Sequence, residues 1–171
     1  ETSTQAAVPI TVEAVSAIAK QNINANLAQQ ITELENALKN ASESEKLGFH
    51  KQLAQKWDDV NQPGPSAFYY EHIALAESTY SNWIKTGDCF TEAYQSIQDS
   101  LTQPTLVQKA INAYKKAIEL NSTSLDAKTG LGVAYVSGTP NPMQGITLLL
   151  DVVKQDPKNV KANMNLGLFS M

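Results

Sequence analysis

Cysteine and histidine are scarce in this chain of 171 residues. It has one cysteine, Cys89, so neither an intrachain disulfide nor a multi-cysteine metal site can form. Its two histidines, His50 and His72, do not stand in a His-Glu-x-x-His pattern or another spacing that would gather further ligands. No glycine-rich phosphate loop is present either. We therefore expect no metal, no cofactor and no catalytic residues, and the protein is predicted not to be an enzyme.

Positive charge is also in short supply. The 13 basic residues are outnumbered by 17 acidic ones, which gives a net charge of −4. A nucleic-acid-binding surface needs clustered basic residues, so nucleic acid is not an expected partner. No apolar run approaches the roughly 18 residues that can span a bilayer. Membrane contact is expected only through an amino-terminal anchor that this sequence lacks.

Both ends suggest a piece of a longer protein. There is no initiator methionine, and residues 1–9 have the composition of a flexible linker, such as one that follows a signal peptide, a membrane anchor or a tag. The sequence stops at Met171, about one helix into a repeat. We therefore expect the natural chain to continue.

A pattern in the second half recurs at a fixed offset. The run Leu131-Gly132-Val133-Ala134-Tyr135 is echoed by Leu166-Gly167-Leu168-Phe169, so that the two glycines are 35 positions apart. A repeat with a period of this length is typical of an array of helical pairs, which usually serves as a binding surface. The same offset joins a second set of positions: Ala110 and Gly145, Tyr114 and Leu149, Ala117 and Val152, and Ser122 and Pro157.

Residues 10–79 are predicted to form about three helices that pack on the repeats. Apolar spacing predicts one long helix from Pro9 to about Asn40 and a second that is capped by Ser42 or Ser44. The run 62–65, Gln-Pro-Gly-Pro, ends the second helix, and the third extends from Ser66 to about Glu77. The segment is either a cap or a set of degenerate repeats.

Residues 80–171 are predicted to contain one lengthened helical pair, one regular pair and one truncated helix. The lengthened pair is expected over 81–101 and 104–120, with a loop insertion as the alternative. Eleven extra residues make about three helical turns and so keep the same faces buried. The regular pair is expected over 124–137 and 143–155, and the last helix starts near Val160.

This second half resembles the tetratricopeptide repeat (TPR) family. Its marker residues are Trp83, Gly87 and Phe90 in the first pair and Leu131-Gly132, Tyr135 and Asp156-Pro157 in the second. The resemblance implies an all-α fold, a right-handed superhelical solenoid of antiparallel helix pairs, whose first helices line a concave groove for a partner segment. The chain is also similar to envelope-associated bacterial TPR proteins with an amino-terminal anchor, which favours the periplasm or cell envelope over the cytoplasm.

Family positions predict which residues line that groove. A subclass of the family binds carboxylate tails through a Lys and Asn clamp. Here Lys161 and Asn165 keep those residue types, but Thr129 and Val133 replace them in the repeat before, so half of the clamp is missing and no such binding is expected. Apolar groove positions favour an apolar or amphipathic segment instead. The predicted groove residues are Ser81, Ile84, Asp88, Thr91 and Glu92 in the first repeat, Asp126, Thr129, Val133 and Val136 in the second, and Lys161, Met164, Asn165 and Leu168 in the third.

The leading hypothesis is a non-catalytic scaffold that binds a protein or peptide partner. One alternative is self-association through the last helix, whose apolar residues Leu166, Leu168 and Phe169 have no following helix to cover them in this sequence. Another is a ligand-binding accessory domain of the cell envelope. That hypothesis would need an aromatic pocket, whereas core packing is the favoured interpretation of its candidate residues, which are Trp57, Phe68, Tyr69 and Tyr70.

Overall fold

The computed structural model describes residues 10–97, 99 and 101–167. This part of the chain contains nine α-helices and one 3-10 turn, and no strand. From the second helix onward, each helix packs against the next in the chain, as in a helical-repeat solenoid. The helices are α1 (Val12–Ala19), α2 (Ala25–Asn40), α3 (Glu43–Asp59), α4 (Pro63–Ala76), α5 (Tyr80–Ser96), α6 (Gln103–Leu120), α7 (Leu125–Gly138), α8 (Met143–Gln155) and α9 (Val160–Gly167).

The single helix expected over residues 9–40 is divided in two. A 3-10 turn over Lys20–Asn22 follows α1, and Ile23 is extended, with φ −123° and ψ 164°. Asn24 then caps α2, because its side chain accepts a hydrogen bond from the Leu27 amide nitrogen at 2.9 Å. The break lets α1 turn back and pack against α4. In the described residues four helices therefore precede Tyr80, rather than about three.

The next two helices begin with local capping signals. Ser42 and Glu45 form a capping box at the start of α3, as expected for one of the two candidate serines. Asn61 has a positive φ of 52° after the end of α3. The chain then enters α4 at Pro63, earlier than the expected Ser66, because prolines are tolerated in the first turn of a helix, where the amides need no helical acceptor.

Most of the extra length of the first helical pair lies in its two helices rather than in the loop between them. α5 and α6 contain 17 and 18 residues, whereas α7 and α8 contain 14 and 13. The first helix nevertheless ends at Ser96, before the expected 101. α4, the last helix before Tyr80, packs against α5. The linker expected at residues 1–9 lies outside the described residues.

The main core lies between the N-terminal helices and the lengthened pair. Phe90, Leu106 and Tyr114 are fully buried there, and Phe68 of α4 meets the Phe90 ring edge-on at 5.3 Å between centroids. Val15 of α1 joins the same cluster. The lengthened helices α5 and α6 therefore share a core with α1 and α4, and this core holds α1 in place.

Two hydrogen bonds join α5 to α7, the first helices of successive pairs. Tyr80 and Ser124 share one at 2.6 Å between their side-chain oxygens, near the start of both helices. Tyr94 and Ser137 share another at 2.9 Å, near the end of both. α5 and α7 are thus connected at both of their ends.

α7 and α8 cross at glycines. A Cβ atom built on Gly132 would lie 2.8 Å from the Leu149 side chain and 3.2 Å from the Gly145 carbonyl oxygen. In the first pair, a Cβ on Gly87 would lie 2.7 Å from the Tyr114 ring. The small residue that the family pattern asks for is therefore required here by close helix packing.

Candidate partner-binding groove

A cleft of about 230 Å³ lies across α5, α7 and α9, the first helices of three successive pairs. It brings together five of the predicted groove residues from positions far apart in the sequence. The lining residues are Ile84, Asp88, Asp126, Thr129, Asn159 and Lys161, of which only Asn159 was not predicted.

The polar groups of the cleft are held by the helices that carry them. Asp88 Oδ1 accepts a hydrogen bond of 2.7 Å from the hydroxyl of Tyr114, a fully buried residue of α6. Asp126 lies in the first turn of α7, where the helix dipole favours a carboxylate. Asn159 precedes α9, and its side chain accepts a hydrogen bond from the Ala162 amide nitrogen at 2.9 Å. The N-terminal ends of α7 and α9 thus form part of the rim of the cleft.

The charge of the cleft is mixed, with an acidic excess. Asp88 and Asp126 contribute two carboxylates and Lys161 one ammonium group. None of the three takes part in a salt bridge within the described part of the chain. They are therefore available to charged groups of a bound segment.

Four of the predicted groove residues are buried, and three of them, Thr91, Val133 and Val136, do not line the cleft, which corrects their expected placement. Val133 and Val136 are only 2% and 7% exposed, and they pack with Leu149, Val152 and Ala162 in the core formed by α7, α8 and α9. The other two are polar and also buried: Thr91 and Thr129 are 5% and 2% exposed. Helices α5, α6, α8 and α9 all pack against α7, so they cover most of the face that was predicted to line the groove.

The two buried threonines bond to their own helices. Thr91 Oγ1 donates to the Gly87 carbonyl oxygen at 2.8 Å, and Thr129 Oγ1 donates to the Leu125 carbonyl oxygen at 2.7 Å. Their hydroxyl protons are therefore used within the array. Of the pair, only Thr129 reaches the wall of the cleft.

The remaining predicted residues lie outside the cleft. Ser81 and Met164 are exposed but do not line it, and Asn165 is half-buried, with its side-chain amide donating to the Lys161 carbonyl oxygen at 2.8 Å. Leu168 lies outside the described residues. Glu92 is exposed and lines a second cleft of about 450 Å³ further along α5.

This second cleft extends the surface towards α3 through residues that the sequence reasoning missed. Asp58 of α3 accepts hydrogen bonds from Ser66 at 2.7 Å and Tyr70 at 2.8 Å, and its carboxylate lies 2.9 Å from the Lys85 ammonium group of α5. Burial alone would raise the pKa of Asp58, but these donors outweigh it and hold the pKa below its ordinary value.

Asn159, which lines the first cleft, was also missed. The available signal was its place just before the apolar start of α9, which is typical of a helix cap.

Cys89 packs in the main core and is not paired with another cysteine. It is 2% exposed, and burial raises the pKa of its thiol to about 12. No group of three metal-ligating side chains occurs among residues 10–97, 99 and 101–167. In the same ranges, no helix is long and apolar enough to cross a bilayer.

The aromatic residues considered for a ligand pocket pack in the core. Trp57, Phe68 and Tyr69 are 0%, 5% and 3% exposed, and Tyr70 is half-buried. They belong to two neighbouring core clusters of the N-terminal helices. The four side chains therefore do not form an open aromatic platform.

Comparison with known proteins identifies structures but no sequence family. No protein-family model matches the chain, and no curated protein does. The crystal structure of MamA is similar, with a TM-score of 0.57 and 19% identity over 81% of this chain and 73% of that one. A thermophilic TPR protein of Thermus thermophilus aligns over 92% of this chain and 97% of its own, with 11% identity and a TM-score of 0.43. The likeness to MamA is one of fold, and the succession of packed helices in the described residues is that of a helical-repeat solenoid.

Proposed function

We propose that this protein is a non-catalytic scaffold that binds a segment of a partner protein in the cleft across α5, α7 and α9. The observation that supports this most is the convergence of side chains from three successive first helices on one concavity. A surface built from several repeats can contact an extended segment at several points, and recognition of this kind suits helical-repeat arrays. That the protein is not an enzyme stays a prediction.

The chemistry of the cleft changes the kind of segment proposed. Val133 and Val136 are buried, and Met164 lies outside the cleft, so Ile84 is the one apolar groove candidate of the sequence analysis that lines it. Asp88 and Asp126 favour a basic side chain in the segment, while Lys161 favours an acidic group or a carbonyl oxygen beside it. We therefore propose a mainly polar segment with at least one lysine or arginine.

The test is capture of partners from native lysate with the groove charges reversed. Asp126 and Lys161 are exposed, so the double variant Asp126→Lys, Lys161→Glu alters the cleft without disturbing the core. The matched control is Glu119→Lys, an exposed charge reversal on α6 away from the cleft. Val133→Glu is unsuitable, because a charge at this buried site would unfold the array.

The expected result is a partner retained by the wild type and by Glu119→Lys and lost with the double variant. Its binding should also weaken as salt is raised, because the charges concerned are exposed and screened. A partner that the double variant retains with undiminished affinity would show that the cleft is not its site.

Self-association is the second candidate function, and exposed apolar residues on the last two helices favour it. Leu150 and Met164 are 56% and 63% exposed, and Met143 and Val160 are exposed as well. Self-association would cover this surface with a second copy. Light scattering over a range of concentrations should then show dimers in the wild type and monomers in Leu150→Glu; wild-type monomers throughout would count against this candidate.

A location in the periplasm or cell envelope is also a proposal, which rests on the resemblance of the sequence alone. Fractionation of the host cell with an antibody against the native protein would test it. Recovery with the cytoplasmic fraction would contradict it.

A further inference from the structure

A separate cavity of about 280 Å³ lies among the four N-terminal helices, away from the groove. All four helices contribute to its wall. Its size is close to the lower end of the range for small-molecule sites, so it suits a compact ligand. The residues that decide its chemistry are Glu13, Glu35, Lys39, His50, Tyr69 and His72.

The hydroxyl of Tyr69 is the main sign that the cavity receives a ligand. Tyr69 is only 3% exposed, and its side chain lines the cavity. No hydrogen bond to its hydroxyl occurs within the described residues, and the hydroxyl is not sealed from solvent, so it is open to the cavity. Burial, with Glu35 and Glu13 nearby, raises the pKa of Tyr69, so the hydroxyl remains a donor at neutral pH.

A histidine in the same wall also has an unused polar atom. His50 Nδ1 is buried and has no hydrogen-bond partner in the part of the chain that the structure describes. Its ring stacks on His72 with 4.6 Å between centroids and lies 6.0 Å from the Tyr69 ring. Tyr69 therefore presents its hydroxyl to the cavity, whereas His50 Nδ1 is closed off from solvent and is not a contact for a ligand.

Four charged side chains line the cavity: two form a salt bridge with each other, and two form none within the described residues. Glu35 accepts hydrogen bonds from Ser16 and Lys20, which links α2 to α1 and to the turn after it. Glu13 of α1 and Lys39 of α2 are exposed residues of the cavity lining, and neither takes part in a salt bridge within the described ranges. The lining as a whole is therefore close to neutral, with one free charge of each sign.

We propose that this cavity binds a small zwitterion of the α-amino-acid type. The ammonium group of the ligand pairs with Glu13, its carboxylate pairs with Lys39, and Tyr69 donates a hydrogen bond to it. A ligand of one charge would neutralise one side chain and leave the other unpaired, whereas a zwitterion satisfies both. The proposal does not depend on the function of the groove, since the two sites share no residue.

The test is calorimetric titration of the whole chain with glycine, L-alanine, L-serine and L-leucine, and with acetate and methylammonium as single-charge analogues. We expect at least one amino acid to bind saturably and more tightly than either analogue. Tyr69→Phe keeps the buried ring and removes only the hydroxyl, so it should fold normally. It should weaken binding about tenfold, as expected for the loss of one hydrogen bond.

Charge-neutralising variants complete the design. Lys39→Gln and Glu13→Gln should each weaken binding of the amino acid, and Lys158→Gln, an exposed change between α8 and α9, should not. Absence of binding by all four amino acids at millimolar concentration would overturn the proposal. So would equal affinity for acetate, which would indicate a simple anion site, or unchanged affinity in Tyr69→Phe.

Discussion

The crossing of α7 and α8 predicts a large loss of stability from a very small change, Gly145→Ala. The new Cβ would lie well inside contact distance of the Gly132 carbonyl oxygen and 2.8 Å from the Val136 backbone nitrogen. Both neighbours are backbone atoms of α7, which cannot rotate away as a side chain can. The two helices would have to separate.

The expected magnitude follows from two opposing effects. Overpacking of a tight interior costs typically 1–3 kcal/mol, and a clash with backbone belongs at about the upper end. Replacing glycine with alanine inside a helix stabilises the folded state by about 1 kcal/mol through helix propensity. The free energy of unfolding should therefore fall by about 2 kcal/mol. For a chain of this size, that corresponds to a melting temperature about 4–8 °C lower.

The matched control is Gly48→Ala. Gly48 is exposed within α3, and a Cβ built on it meets nothing within 4 Å. This substitution should raise the free energy of unfolding by about 0.5–1 kcal/mol, through helix propensity alone.

Thermal and urea unfolding followed by far-ultraviolet circular dichroism would measure both variants. Opposite shifts for the same chemical change are the expected outcome. A Gly145→Ala protein as stable as the wild type would refute the packing of α7 on α8 described here.

Three further predictions concern buried groups. Tyr114→Phe removes a hydrogen bond to Asp88 and should lower the free energy of unfolding by about 1–2 kcal/mol in urea titrations; no change would contradict the bond. Burial, with His72 and Lys46 nearby, lowers the pKa of His50 from 6.5 to about 4, so the unfolded state binds the proton first as the pH falls. Stability should be lost between pH 6.5 and 4, by about 1–2 kcal/mol after allowance for the partial exposure of His50, and urea midpoints of His50→Gln should lack this part of the loss. Cys89 should react with a maleimide at neutral pH only as fast as the chain opens, and rapid labelling of the folded protein would count against its burial.

The repeat region was predictable because its turns are marked by residues that stop helices. The segments 137–142 and 156–157 contain glycine or proline, α7 and α8 begin and end within a residue of the expected positions, and α9 begins at the expected Val160. The break before α2 was missed because apolar residues continue through it. The spacing of five between Ile18 and Ile23, followed by an asparagine that can cap a helix, was the available signal.

The groove was predicted in part, and the errors have a common cause. Family positions identify which face of a helix points to the groove, but not how closely its neighbours cover that face. α7 is apolar on nearly all sides, with Leu131, Val133, Ala134 and Val136 in one run, and such a helix is usually enclosed. Asp126 and Lys161 line the cleft because they lie in the first turns of their helices, where neighbouring helices cover them least.

The paired tyrosine–serine hydrogen bonds between α5 and α7 bear on the curvature of the array. A solenoid bends according to the small rotation between one repeat and the next. A bond at each end of two such helices leaves little freedom for one to tilt on the other, so this step of the superhelix should be stiff. The part of the cleft wall that α5 and α7 form should therefore keep its shape when a segment binds.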